Sequence, residues 1–262
     1  MAINVRAWLA LPPLKPKSGS VFDIAAYGLN WLTFVVGIGF IGLHAVPQLL
    51  FGYSASAGAV TLYSANPLPS EADKLARQAA ELASKSELAQ QGVTDRVYIS
   101  DRFWLYRLFN PQGHSFAIFM PLTGNIFVAN GDVKENVAYS DAEAYNKRGL
   151  STVIAHEMTH HLIQERLGAL RSFRLPAWLS EGYCDYVAGE SSFPEREGLR
   201  LIAAGQFDPS PSFEYFQSRK VVQYLIEQRH MPFEEIAEQA LKSDVLQKEA
   251  LRAIGEGLYA EK

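Results

Sequence analysis

Two histidines four residues apart, with a glutamate just after the first, have the spacing in this chain most suited to chemistry. His156-Glu157-Met158-Thr159-His160 is a single H-E-x-x-H within LSTVIAHEMTHHLIQERLG. On a helix, side chains four apart share a face. His156 and His160 would then offer two imidazole nitrogens to one Zn²⁺, each at roughly 2.0–2.1 Å. Glu157 would sit beside such a metal without pointing at it, which suits a base that acts on zinc-bound water.

Two histidines leave such a site incomplete, because a catalytic zinc takes three protein ligands and keeps one position open. The remaining histidines are poor candidates. His44 lies in an apolar segment and His114 in the turn-like PQGH. His161 points about 100° around the helix from His160 and reads as a neighbour. His230 ends a helix, where a cation suits the dipole. Glu181 fits better. It follows His160 by enough residues for one helix to end and a second to return antiparallel. Asp185 comes four residues later on the same face, placed to accept from the free ring nitrogen of a ligand histidine, expected to be His156. A solvated acidic pair is the plain alternative for Glu181 and Asp185. Cys184 is offset from their face and reads as a small packed residue.

An H-E-x-x-H followed about twenty residues later by a helical E-x-x-x-D is similar to the gluzincin clan of zinc metallopeptidases. PAWLSEGYCDY resembles the W-L-x-E-G segment of its aminopeptidase-like branch. The resemblance implies an α+β, thermolysin-like zincin core: a small mixed sheet, the H-E-x-x-H helix and helices C-terminal to it. It implies peptide-bond hydrolysis of a peptide or protein substrate with one Zn²⁺ on His156, His160 and Glu181. Tyr215, opening the segment YFQSRKVVQYL, matches the tyrosine that stabilises the oxyanion in that branch. The strand Asn125, Ile126, Phe127, Val128 would be the edge that pairs with an extended substrate. No G-x-M-E-N signature precedes the motif, which leaves exopeptidase and endopeptidase action both open. Two other readings stand beside this one: a zinc hydrolase of a non-peptide bond, and a membrane-tethered binding or structural protein without turnover.

These side chains need a fold and a location. The chain has 262 residues, 48% of them hydrophobic and 20% charged, an ordinary balance for a folded protein. A net charge of −4 gives no basic excess for nucleic acid. One cysteine excludes a disulfide framework and a cysteine-based zinc ribbon. Residues 1–24 form a basic leader with Arg6, Lys15 and Lys17. AAYGLNWLTFVVGIGFIGLHAV (25–46) then has the length and composition of a bilayer-crossing signal-anchor helix. The basic flank predicts a single-pass protein with a cytoplasmic N-terminus and an extracytoplasmic catalytic domain. A buried core helix is one alternative. Another is a signal peptide cleaved after Ala55-Ser56-Ala57, which would release a secreted protein.

The metallopeptidase domain is expected over 58–262. AVTLYS predicts its first strand, and Ser70 would cap a helix over 71–90. A strand at 96–100 and a short helix at 101–109 follow, with Phe103, Trp104, Tyr106 and Phe109 expected in the core. Strands at 115–120 and 125–129 are joined by a turn, and 132–149 reads as a polar loop. Ser151 would cap the central helix, which ends at Gly168. Pro176 starts the next helix, and 189–211 is loop-like with a short helix near 195–204. Helices over 214–229, 232–242 and 244–254 complete the chain. Strands first and helices later argue α+β.

Overall fold

The computed structural model describes residues 15–111 and 113–260, with side chains up to Gly257. The first part of the basic leader, residues 1–14, lies outside the described residues. The chain divides into two units, one ending at Leu49 and one running from Leu50.

The first unit holds helix α1, Val21–Ala45, which begins earlier than the apolar run because Ser20 caps it through its side-chain oxygen and the Asp23 N–H. It is long and apolar enough to cross a membrane, and none of its most apolar stretch is buried.

The second unit is a mixed α+β domain. Its five-stranded sheet has the order β1 (Tyr53–Ala57), β2 (Val60–Ser64), β3 (Asp95–Ile99), β5 (Asn125–Val128), β4 (Ala117–Met120). The pairs β2–β3 and β3–β5 are parallel, and the two outer pairs are antiparallel. Helix α2 (Ala72–Ala83) makes the crossover between β2 and β3. After the short helix α3 (Phe103–Arg107), a hairpin of β4 and β5 leads to a second, three-stranded sheet. This comprises β6 (Gly131–Asp132), β7 (Val137–Tyr139) and β8 (Lys147–Gly149). The helices are α4 (Leu150–Leu167), α5 (Ala169–Phe173), α6 (Ala177–Ala188), α7 (Glu195–Ala203), α8 (Pro211–Gln223), α9 (Phe233–Ala240) and α10 (Val245–Ala260). A π turn, Tyr224–Gln228, extends α8.

Two cores share the central helix. Val153, Ile154 and Ala155 of α4 join Leu75, Ala79, Val97, Ile126 and Val128 between helix and sheet. Leu162 and Ile163 join Trp178, Leu179, Val222 and Phe233 between helices. On the far face of the sheet, Phe51, Tyr63, Tyr98, Phe109 and Phe127 stack on one another.

Several expectations change. AVTLYS is β2, and an earlier strand, β1, pairs with it over its whole length. Its last three residues are the Ala55-Ser56-Ala57 of the supposed cleavage site. α2 starts after Glu71 without a side-chain cap and ends at Ala83, not Gln90. The polar stretch 132–149 is loop only in part, because Val137–Tyr139 and Lys147–Gly149 pair within it as β7 and β8. Trp104 is 60% exposed and so lies outside the core, whereas Tyr106 and Phe109 are buried in it. Ser151 lies inside α4, which starts at Leu150. The strand Asn125–Val128 is not an edge: β3 bonds to one side of it and β4 to the other. Asn125, Ile126, Phe127 and Val128 are all buried, so they cannot pair with a substrate. The free edge on that side is β4.

A chain beginning at Gly58 lacks β1 and Phe51, a ring 1% exposed that packs on Tyr98 and Phe109. Losing that ring alone costs about 3–5 kcal/mol. Such a chain is expected to unfold at markedly lower denaturant than one beginning at Leu50; equal midpoints would show that β1 adds nothing to the domain.

Candidate metal centre

Residues 150–159 of α4 are buried nearly all round, between sheet, neighbouring helices and a cleft of about 990 Å³. The helix N-terminus is capped from outside. The Asn136 carbonyl accepts from Leu150 N–H at 3.1 Å, and its Oδ1 accepts from Ser151 N–H at 2.8 Å. Glu190 Oε2 accepts from Gly149 N–H at 3.1 Å and from the Thr152 hydroxyl. A carboxylate at this end also opposes the helix dipole.

His156 and His160 project from α4 with ring centroids 5.0 Å apart, and both line the cleft. α6 returns alongside and brings Glu181 to them. Glu181 Oε2 lies 3.2 Å from His156 Nε2 and 3.5 Å from His160 Nε2. Asp185 Oδ1 lies 2.7 Å from His156 Nδ1. A carboxylate only accepts, so without a metal both ring N–H groups of His156 donate, Nδ1–H to Asp185 and Nε2–H to Glu181; a cation there would take the place of the Nε2 proton. Ser180 Oγ stands 3.3 Å from His160 Nδ1. Glu157 is 7% exposed and lines the cleft beside them, accepting a backbone hydrogen bond from Phe119 of β4.

Tyr215 reaches the same cleft from the first turn of α8. Its approach depends on Gly182, because a Cβ there would lie 2.5 Å from the Ser218 carbonyl oxygen. Only a glycine lets α8 lie this close to α6. The expected constellation of His156, Glu157, His160, Glu181 and Tyr215 therefore meets at one cleft. The expected substrate strand stays outside it.

Arg148 is a residue that spacing did not suggest. It is buried on β8, with Nη1 3.0 Å from Asp185 Oδ1 and Nη2 donating to the Glu190 carbonyl at 2.9 Å. Nothing in the sequence singles out this arginine from its neighbours. Cys184 also comes closer than expected. His156, His160 and Cys184 each offer a ligand atom within 4.8 Å of the others and could hold a metal ion. His161, the expected neighbour, turns to the sheet. Its Nδ1 lies 2.8 Å from Asp95 Oδ1, and its ring stacks on Phe119.

The electrostatics follow from burial. Glu157, Glu181 and Asp185 place three carboxylates against one guanidinium, Arg148. With both imidazoles neutral, an excess of two negative charges remains. Burial pushes the Glu157 carboxyl up, against the pull of the two imidazoles. Burial would raise Glu181 as well, but His160 and His156 hold it far below the usual carboxylate range. Burial opposes the charge on Asp185 too, yet Arg148 and His156 keep its pKa low. For His156, burial favours the neutral ring, but Asp185, with Glu181 and Glu157, pushes its pKa up to about 10. The buried Cys184 thiol is pushed well up. Burial also raises the Tyr215 hydroxyl, reinforced by Glu181, Asp185 and Glu157, so it remains a donor.

Neither a protein-family model nor a curated protein sequence matches this chain.

Two outcomes are expected. In chelator, the raised His156 contributes stability that is complete below its unfolded value of about 6.5 and lost as pH rises through about 10. The lowered Asp185 contributes stability present above about 3.9 and lost as pH falls towards its folded value. Melting temperatures measured in chelator should therefore fall at both ends. Zinc should flatten the alkaline arm, since a ligand histidine must be neutral. An alkaline arm unchanged by zinc would count against metal at His156. Separately, Arg148→Met leaves Asp185 buried without its cation and should cost about 3–5 kcal/mol in denaturant unfolding.

Proposed function

We propose that this protein is a membrane-anchored zinc peptidase of gluzincin type, with the ion on His156, His160 and Glu181. The observation that carries the reading is that one Glu181 oxygen stands close to the Nε2 atoms of both histidines. Ligands at about 2.0–2.1 Å in a tetrahedral arrangement stand about 3.3 Å from one another. The Glu181 oxygen stands 3.2 and 3.5 Å from the two Nε2 atoms. The excess of two negative charges around them matches a divalent cation. Asp185 supports the same reading, because a carboxylate on Nδ1 fixes the tautomer and makes Nε2 a better donor to metal. Cys184 is the rival third ligand. Its thiol is fully buried and its pKa raised, whereas Glu181 is charged and faces the cleft.

Bound there, zinc would supply a Lewis acid and lower the pKa of a water towards 7. The residues of the chain do the remaining work. Glu157, its pKa raised by burial, accepts the proton from water and passes it to the leaving amine. Tyr215 donates its hydroxyl proton in a hydrogen bond to the oxygen on which charge develops. Asp185 and Arg148 hold His156 in place. A polypeptide substrate is favoured by the free edge of β4 along the cleft. The Phe116 carbonyl accepts from Ala129 N–H, so alternate residues of this strand bond inward. The main-chain groups of Ala117 and the Phe119 carbonyl then face the open side, where an extended chain can add as a strand, while the Phe119 N–H is held by Glu157.

In this reading α1 is the anchor, with its N-terminus cytoplasmic and the domain on the other side, supported by Lys15 and Lys17 ahead of the apolar stretch.

Glu157→Gln is expected to retain one zinc per chain and to lose about 10²–10⁴-fold in turnover of a quenched peptide library. Wild-type turnover in that variant would remove Glu157 from the role of base. Metal content separates the third ligands: Glu181→Gln should lose zinc and Cys184→Ser should keep it. The reverse pattern would assign the ion to Cys184 and argue for a structural site.

A further inference from the structure

We propose that one side of the cleft mouth docks on the lipid surface, so that the enzyme takes polypeptide segments lying at that surface. This rests on the anchor reading above. The observation is a group of large apolar side chains left in solvent beside the cleft. Leu170 and Phe173 of α5 are 85% and 90% exposed, and both line the cleft. Leu122, 97% exposed, sits in the β4–β5 turn, where the carbonyl of Pro121 accepts from Gln164 of α4. Other large apolar side chains, Trp104 and Phe207 among them, are exposed too, but Leu170 and Phe173 line the cleft and Leu122 follows its Pro121 wall, and apolar groups gathered in this way mark interaction sites.

Charge selects the occupant. From Arg166 to Leu175 the chain reads RLGALRSFRL; Arg166 and Arg171 reach Glu234 and Glu238 of α9 at 2.6 and 3.8 Å, in pairs about half exposed for which lipid headgroups can compete, and Arg174 adds a third cation. Short basic segments that alternate with Leu and Phe match the interface of an anionic bilayer, where the apolar groups enter and the arginines meet headgroups. The chain supplies the proximity. Only Val46–Leu49 separate α1 from the domain. Four residues span at most ~14 Å, so an anchored domain stays against the surface that the helix leaves. A soluble protein partner would need no such tether and no such run of arginines.

The test uses the full chain, reconstituted in phosphatidylcholine–phosphatidylglycerol vesicles. Its one cysteine, Cys184, is buried and does not compete for label. Cysteines placed by Leu122→Cys, Leu170→Cys or Phe173→Cys are labelled with an environment-sensitive fluorophore. Leu32→Cys in α1 and Glu249→Cys on the exposed side of α10 serve as references. Quenching by doxyl-labelled lipid should be at least about twofold stronger at the three rim positions than at Glu249. It should weaken in vesicles of phosphatidylcholine alone. Quenching at Leu32 with rim labels that behave like Glu249 would overturn the docking and leave the anchor standing. A Leu32 label that escapes quenching would overturn the anchor, and the docking with it.

Discussion

Asp185 is a carboxylate with 0% exposure, and the arrangement of the site depends on making that tolerable. Taking a carboxylate out of water costs several kcal/mol unless a partner returns the energy. Here one oxygen, Oδ1, meets two partners: Arg148 from β8 and His156 from α4. The small second sheet, the central helix and the returning helix α6 are therefore tied at a single atom. The same contact orients His156 and turns its Nε2 towards Glu181. Stability and site geometry are not separable here, because the group that needs compensation is the group that aligns His156.

A second constraint is steric. Gly182 and Gly198 admit the Ser218 carbonyl and the Phe216 ring to distances that no Cβ would permit. α8 is thus held against both α6 and α7, with Phe213 and Phe216 buried beneath it. That packing fixes the wall of the cleft from which Tyr215 points. The opposite wall is β4, whose inward main-chain bonds go to β5 and whose other edge stays open. In the proposed reading, a cleft with a charged floor, an apolar rim and one free strand edge would take an extended chain.

Protons and the proposed cation would compete for the same nitrogens. Three carboxylates around two imidazoles favour positive charge, and a proton on His156 answers that demand as a metal ion would. The difference lies in reach. A proton satisfies one nitrogen and one oxygen, whereas the proposed dication would satisfy Nε2 of both histidines and Glu181 together.

The sequence by itself determined the parts whose logic is local. The i, i+4 spacing puts His156 and His160 on one helix face, and the same spacing pairs Glu181 with Asp185. The apolar run in 25–46 makes a helix of membrane length wherever it lies, and Gly168 ends α4 because its φ of +79° suits glycine. What needed the tertiary structure was everything set by distant neighbours. Composition marked Asn125–Val128 as a strand and the resemblance implied that it was a usable edge, but whether a strand is interior depends on which strands flank it. Ser151 has the chemistry of a cap, yet Asn136 and Glu190 perform that task from other elements. Arg148 carries no mark in the sequence, since its role comes from a buried charge that folding places beside it. Periodicity reports which residues share a face; burial and long-range pairing decide what that face meets.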